Sequence, residues 1–522
     1  MAKKTSIRHL LNTTRVPTAA EAETVRQIIE EGYVELWKLR NQATAVKNKL
    51  SNLLAKYELT EKRIKAHAAI LAPIRRLPQE VLSEIFFYCL PARGDHLKTF
   101  SFHEAPLLLC QVCVHWRVIA RRTPRLWSTL TISNPSYDNG ESFSKGAKAV
   151  KLWISESSSR PFSVEIKYKR PDRDLDYYST YNGYEDGVKR VLGAIENSSH
   201  LWTSMIGVAP CCAINQFVRL MNTGKTPLLE ELDLTLDGYD QNYFQPLKLN
   251  MTNLQMRTIA IRGLSILPTF NEVNLVNLHV LVISNRHSGR KRFSLDNFWE
   301  CMTHCPSLHE LTLSVETSAE YQAPIQTLEL PLLKACTLYF DSRVDPGPFL
   351  DKLCFPALST LSIRMSYSPQ TDNWPHFAAL LDRSKSHLTE IYLCGVPMSE
   401  HNLLKCLRNA PHLVSLDVGE NSREEGFIMA MINQGHSKCL CPCLESIRLG
   451  RCNGVSWQSV KDMILSRWGG LLADEVDRSM RPPGKVLQSV SMYTYDWDYA
   501  KMVNSDPDIH QCILDGLNVS EF

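Results

Sequence analysis

The 522-residue chain has no hydrophobic run approaching the roughly 18 apolar side chains of a membrane-spanning helix, so no membrane association is expected. The stretch from Met1 to Pro17 lacks the apolar core of a secretory signal, being broken by lysine, arginine, asparagine and threonine. A large excess of either charge is also missing. The formal net charge is +3, and without a concentrated basic face nucleic acid is not an expected partner. Lys3, Lys4, Arg8 and Arg15 at the start read as a solvated tail. Sixteen cysteines without a secretory signal point to buried thiols in a reducing compartment, hence the cytoplasm or the nucleus.

Proline is absent from Glu23 to Leu71, and Gly32 is the only glycine there. Stepping by seven from Ile29 meets Leu36, Ala43, Leu50, Tyr57, Ile64 and Leu71, and three residues after each come Gly32, Leu39, Val46, Leu53, Thr60 and His67. This spacing predicts a long helix with a coiled-coil seam, stopped by Pro73. Two uses stay open: homodimerisation through residues 25–71, or folding back on the body of the chain.

Two short segments follow, IRRLPQEVLSEIFFYCLP at 74–91 and APLLLCQVCVHWRVIARRTPRLWSTLTI at 105–132. Leu77-Pro78 predicts an extended lead-in and a helix start. Val81, Leu82, Ile85, Phe86 and Leu90 then make one apolar stripe, and Leu107, Leu108, Val112, Trp116 and Ile119 a second. Leu-Pro-x-Glu, Val-Cys-x-x-Trp-Arg and Pro-x-Leu-Trp, carried by Leu77, Pro78, Glu80, Val112, Cys113, Trp116, Arg117, Pro124, Leu126 and Trp127, resemble the F-box. The polar stretch 92–104 is longer than the connection usual in that family. The resemblance implies binding to the Skp-type adaptor of a cullin-RING ubiquitin ligase through Ile74, Leu77, Pro78, Val81, Leu82, Ile85 and Phe86.

From residue 229 onward Leu-x-x-Leu-x-Leu recurs, as at Leu229/Leu232/Leu234, Leu308/Leu311/Leu313, Leu358/Leu361/Ile363 and Leu413/Leu416/Val418, with a weaker copy at Leu254/Arg257/Ile259. First positions from Leu229 to Leu444 lie 24 to 31 residues apart, room for a strand, a turn, a helix and a return. This resembles the leucine-rich repeats that follow many F-boxes, without their asparagine ladder or fixed length. The second and third leucines should face the core and their neighbours an outer, partner-binding face. That face would carry Glu231, Asp233, Glu310, Thr312, Tyr339, Arg364, Glu390, Tyr392, Asp417 and Arg448, and its acidic bias suggests a basic protein substrate.

The expected architecture is α/β: a tail (1–22), a long helix (23–72), an all-α F-box (73–130), linker and capping elements (131–200), an irregular repeat solenoid (201–495) and a tail (496–522). The basic cluster Arg286, Arg290, Lys291 and Arg292 reads as a surface loop. No catalytic set is found. Asn222–Thr226 resembles the end of a phosphate loop but lacks its earlier glycine, and Pro227 would interrupt the helix that must follow. Cys110 and Cys113 are expected as core thiols. His436, Cys439, Cys441 and Cys443 are the best metal candidate but have no second cysteine pair close in sequence, so no metal or other cofactor is assigned. The expected function is substrate receptor of a Skp-cullin-F-box ligase; the alternative is a coiled-coil/repeat scaffold outside any ligase.

Overall fold

The computed structural model describes residues 10–11, 14–91, 103–133, 140–157, 159–168, 179–237, 247–263, 266–270, 273–284, 293–316, 326–340, 344–366, 374–385, 387–419, 424–432, 439–452, 454–468, 487–493, 503 and 505–521. The chain forms two compact units that divide after Glu84.

In the first unit α1 (Ala19–Ile70) begins at a capping box. The Thr18 backbone N–H donates to the Glu21 carboxylate at 2.8 Å, and the Glu21 N–H donates back to Thr18 Oγ1. The helix therefore starts four residues earlier than Glu23, as Thr-x-x-Glu dictates. Its apolar side chains, among them Ile29, Leu36, Leu39, Val46, Leu50 and Leu53, are exposed. A 3-10 turn at Pro73–Arg76 follows, Leu77 is extended, and α2 (Gln79–Tyr88) begins; this helix runs across the division.

The second unit opens with a helical segment. The second helix expected there is broken in two, α3 (Leu109–Val112) and α4 (Val114–Arg121), by Cys113 in an extended conformation. Cys113 Sγ accepts the Trp116 N–H at 3.5 Å and so caps α4. This break rotates the stripe. Leu109, Ile119 and Ala120 are buried, whereas Leu108 and Val112 of the expected stripe are exposed. Phe86 packs against Trp116 with ring centroids 4.8 Å apart.

A 15-stranded sheet dominates the rest, beside two short strand pairs, Leu247–Asn250 with Ile266–Thr269 and Leu328–Glu329 with Leu353–Cys354. Fourteen of its strands lie side by side in chain order: β1 (Thr129–Ser133), β2 (Phe162–Lys167), β3 (Trp202–Pro210), β4 (Glu231–Asp237), β5 (Thr258–Arg262), β6 (Val280–Ser284), β7 (Glu310–Glu316), β8 (Ala335–Phe340), β9 (Thr360–Met365), β10 (Glu390–Cys394), β11 (Ser415–Asp417), β12 (Ser446–Arg451), β13 (Ser489–Tyr493) and β14 (Asn518–Glu521). The short strand Phe293–Ser294 pairs beside β7. Every pairing is parallel, so the chain must return to the same end after each strand. Helices serve many of the returns: α5 (Gly140–Glu156), α6 (Ser179–Glu196), α7 (Ile214–Asn222), α8 (Leu295–His304), α9 (Gly347–Leu350), α10 (His376–Ser384), α11 (Glu400–Arg408), α12 (Glu425–Met431), α13 (Trp457–Trp468) and α14 (Pro507–Leu514).

One row of core side chains crosses the sheet: Leu232, Ile259, Leu281, Leu311, Cys336, Leu361, Ile391, Leu416, Ile447 and Val490 are register partners and are all buried. Phe217, Phe298, Phe377, Leu403, Phe427 and Ile464, from the return helices, join the same core. Three residues before each row member sits another buried side chain, from Leu229 to Leu487. At one copy the register differs from the sequence reading: Met256, not Leu254, takes this position, and Leu254 is 51% exposed. In place of an asparagine ladder, backbone N–H groups donate turn to turn. Examples are His309 to the His279 carbonyl, Lys334 to His309, Ser359 to Lys334, Thr389 to Ser359 and Val414 to Thr389, all at 2.7–2.8 Å. A backbone ladder is blind to side-chain identity, so it needs no asparagine and leaves no mark in the sequence.

The stretch 496–522, expected as a tail, holds α14 and β14, and Ile509, Cys512 and Leu517 enter the core. The loop-like motif at 222–226 follows a helix instead of preceding one. Gly224 has φ +68, and the Lys225 N–H closes back on the Leu220 carbonyl at 3.0 Å, a helix end. Among the described residues no helix is long and apolar enough to cross a membrane.

Candidate partner-binding surfaces

Two surfaces come from the sequence reading. On the helical segment, Ile74 and Leu77 are half-buried and Pro78 is exposed. Along α2 the side chains alternate sharply. Leu82 and Phe86 are 0% exposed, while Val81 and Ile85 are 44% and 37% exposed and Tyr88 is also exposed. Helix periodicity explains the split, since 82 and 86 share one face and 81, 85 and 88 another. Leu82 and Phe86 are therefore the buried side of the helix, and only their neighbours have surface to offer. Leu108, Val112, Val114 and Val118 of the second unit are further exposed apolar residues that sequence reasoning had not assigned to a surface. The extended Cys113 that turns them outward has no sequence signal of its own.

The segment is held firmly. Trp127 Nε1 donates to the Ala120 carbonyl at 3.0 Å, its ring lies 4.8 Å from that of Trp153, and Trp153 Nε1 donates to the Trp127 carbonyl at 3.1 Å. Arg125 stacks over Phe87 at 4.0 Å, and Arg117 Nε donates to the Cys110 carbonyl at 2.8 Å. Cys110 and Cys113 are only half-buried, not core thiols. Burial still raises the Cys110 thiol above its ordinary range.

The second surface is the sheet face opposite the helices. Alternation places on it one row in which Thr312, Thr337, Ser362, Tyr392, Asp417 and Arg448 are successive neighbours. A second row sets Tyr339 beside Arg364 and Cys394, and a third holds Glu310 and Glu390. These residues are half-buried or exposed. Glu231 and Asp233 on β4 lie apart from them, three strand spacings from Glu310 and Thr312 on β7, or roughly 14 Å at the usual interval. In between, Ala260 and Val282 in the row of Asp233 are buried, while Thr258 and Val280 in the row of Glu231 are half-buried. The predicted set thus divides into an open patch over β7–β12 and a separate pair on β4.

Two of the acids in the set are paired with arginine. Asp233 is ion-paired with Arg262, and Asp417 lies 3.5 Å from Arg448. Tyr392 Oη donates to Glu390 at 3.1 Å. Burial, with the carboxylates of Glu390 and Asp417, raises the Tyr392 phenol above its usual range. Arg364 Nε donates to Cys394 Sγ at 3.0 Å. Arg364 and Arg448 are exposed while most of the acids are half-buried. Arg262 and Cys394 went unassigned from the sequence, though the same alternation points both outward.

Of the metal candidates, His436 lies outside the described residues. Burial holds the Cys441 thiol at about 12 and also raises Cys439. Their neighbour Arg467 donates to the backbone carbonyls of Met431, Leu440 and Cys441. Among the described residues no three His, Cys, Asp or Glu side chains converge on a common point. Comparison of the chain with known family models and with curated proteins finds no match.

Proposed function

We propose that the chain is the substrate receptor of a Skp-cullin-F-box ubiquitin ligase. Residues 74–127 would act as the F-box and the sheet unit as a leucine-rich-repeat solenoid that holds the substrate. The observation that carries this reading is the ordered set Leu77-Pro78, Glu80, Val112-Cys113, Trp116-Arg117, Pro124 and Leu126-Trp127, on a segment whose Val81 and Ile85 point outward. Exposed apolar side chains on a small, well-anchored helical segment are what an adaptor contact requires. Ile74, Leu77, Pro78, Val81 and Ile85 make that contact, with Leu82 and Phe86 supporting it from beneath. The substrate sits on the patch over β7–β12, with Tyr339, Tyr392, Arg364 and Arg448 as its anchors, since aromatic and arginine side chains dominate protein interfaces.

The mechanism is tethering. A substrate bound on one chain with the ligase is held near a charged conjugating enzyme, so its lysine reacts at a high effective concentration. Chemistry belongs to the partners.

Co-purification with a Skp-type adaptor tests the proposal. The parent chain should bring the adaptor down. Leu77→Ala with Pro78→Ala, through lost apolar contact, and separately Val81→Asp with Ile85→Asp, through a carboxylate left unpaired at an apolar interface, should each reduce recovery at least about tenfold with unchanged circular dichroism. Failure of the folded parent chain to bind would leave the scaffold alternative.

A further inference from the structure

Along the 52 residues of α1, roughly 78 Å at 1.5 Å per residue, the side chains of the heptad seam stand exposed. Other exposed apolar residues fall off that seam: Tyr33, Leu54 and Ile70 flank it, and Val34, Trp37 and Leu59 do not form a second stripe of comparable length. We propose that α1 pairs with α1 of a second copy of this chain, parallel and in register, as a two-stranded coiled coil.

Charge placement selects both the occupant and the direction. With Ile29 and Leu36 at the first seam position and Leu39 and Leu53 at the second, the side chains flanking a parallel seam meet five residues apart. Glu35 then faces Arg40 of the other copy, and Lys56 faces Glu61. Each pair occurs twice by symmetry. The remaining flanking pairs, Ile28 with Tyr33, Gln42 with Lys47, Lys49 with Leu54 and Arg63 with Ala68, bring no like charges together. An antiparallel pair overlapping the whole seam, Ile29 to His67, would set Lys47 against Lys47 and Lys49 against Lys49 at its centre and keep one kind of opposite-charge pair, Glu35 with Arg63. Shifted by one heptad, it would set Lys47 against Arg40 beside Glu35 with Lys56, or, the other way, Lys49 against Lys56 beside Arg40 with Glu61, so in no such register are the like charges absent. The sequence of α1 is thus most complementary to itself in one direction.

The test uses the full chain. Light scattering behind size exclusion should give the mass of two chains, and of one chain for Leu39→Asp with Leu53→Asp, with helicity retained in the rest of the molecule. A second variant reads the direction. Under Leu53→Cys the new thiol lies opposite its own copy in a parallel coil and should form a disulfide-linked dimer on mild oxidation that the parent chain does not form. In an antiparallel coil first and second seam positions face each other, so that bond is impossible. A parent chain that is monomeric at micromolar concentration, or a dimer that survives the double substitution, overturns the proposal. A dimer in which Leu53→Cys yields no cross-link overturns its direction.

Discussion

At Trp127 both poles of one side chain are used. Its indole N–H satisfies the Ala120 carbonyl, while its ring packs edge-on against Trp153 of α5. Glu425 achieves something comparable with charge. Its carboxylate accepts from the Ser459 hydroxyl and from the backbone and hydroxyl of Ser456, at 2.8 and 2.9 Å for the latter two, tying α12 to the first turn of α13. The Ser459 and Ser456 hydrogen bonds hold its carboxyl below the ordinary 4.5. Because the folded value is the depressed one, the stabilisation is fully present above pH 4.5 and disappears as pH falls through the folded value. Glu425→Gln should therefore lower the urea midpoint at pH 7, and the gap to the parent chain should close on acidification below pH 4.5. A gap that is constant with pH would mean the carboxylate charge is not what holds the two helices.

Elements depend on positions that tolerate only certain residues. In β3, Gly207 occupies the place that a leucine or isoleucine takes on neighbouring strands, between Ile166 and Leu234. Its φ is +115, and a side chain there would collide with the Ile166 carbonyl oxygen. Gly207→Ala should cost about 1–3 kcal/mol from backbone strain alone, read as a lowered thermal midpoint with the native circular dichroism retained. An unchanged midpoint would show that the strand can shift to accommodate it. Such positions also mark where sequence legibility ended. Most strands from β4 to β13 were readable because burial on one face imposes a period of two, anchored by the preceding leucine. β3 was not, because Gly207 interrupts the pattern and Trp202 replaces its leading leucine. The split of α3 from α4 was hidden for a related reason: Leu107, Leu108, Val112 and Trp116 keep helical spacing, and the extended Cys113 that breaks it is not a residue type that signals a break. On the outer face, alternation sufficed to list Tyr339, Arg364, Tyr392 and Arg448, but ion pairs such as Asp233–Arg262 depend on which strand lies next to which.

At the scale of the molecule, fourteen strands pair in chain order, so each contacts only those before and after it in the sequence, and stability is close to a sum of neighbour terms. Removing an end should then cost the terminal term and leave the middle folded, whereas a change inside the row, such as at Leu416 between Ile391 and Ile447, would weaken two interfaces at once. The carboxyl-terminal end makes the sharpest case. A tail could be removed without effect, but α14 and β14 bury Ile509, Cys512 and Leu517, and Lys461 of α13 pairs with Asp506 and Asp508 at 2.9 and 2.6 Å. Deleting 503–522 would also remove buried Val503 and would expose Val490 and the unpaired edge of β13 together with that apolar surface, and four buried side chains at about 1.5–3 kcal/mol each exceed a typical terminal strand's margin. The truncated chain should keep most of its circular dichroism, lose several degrees of thermal midpoint and aggregate with concentration. A fully soluble truncation with the parent midpoint would show that β13, not β14, closes the sheet.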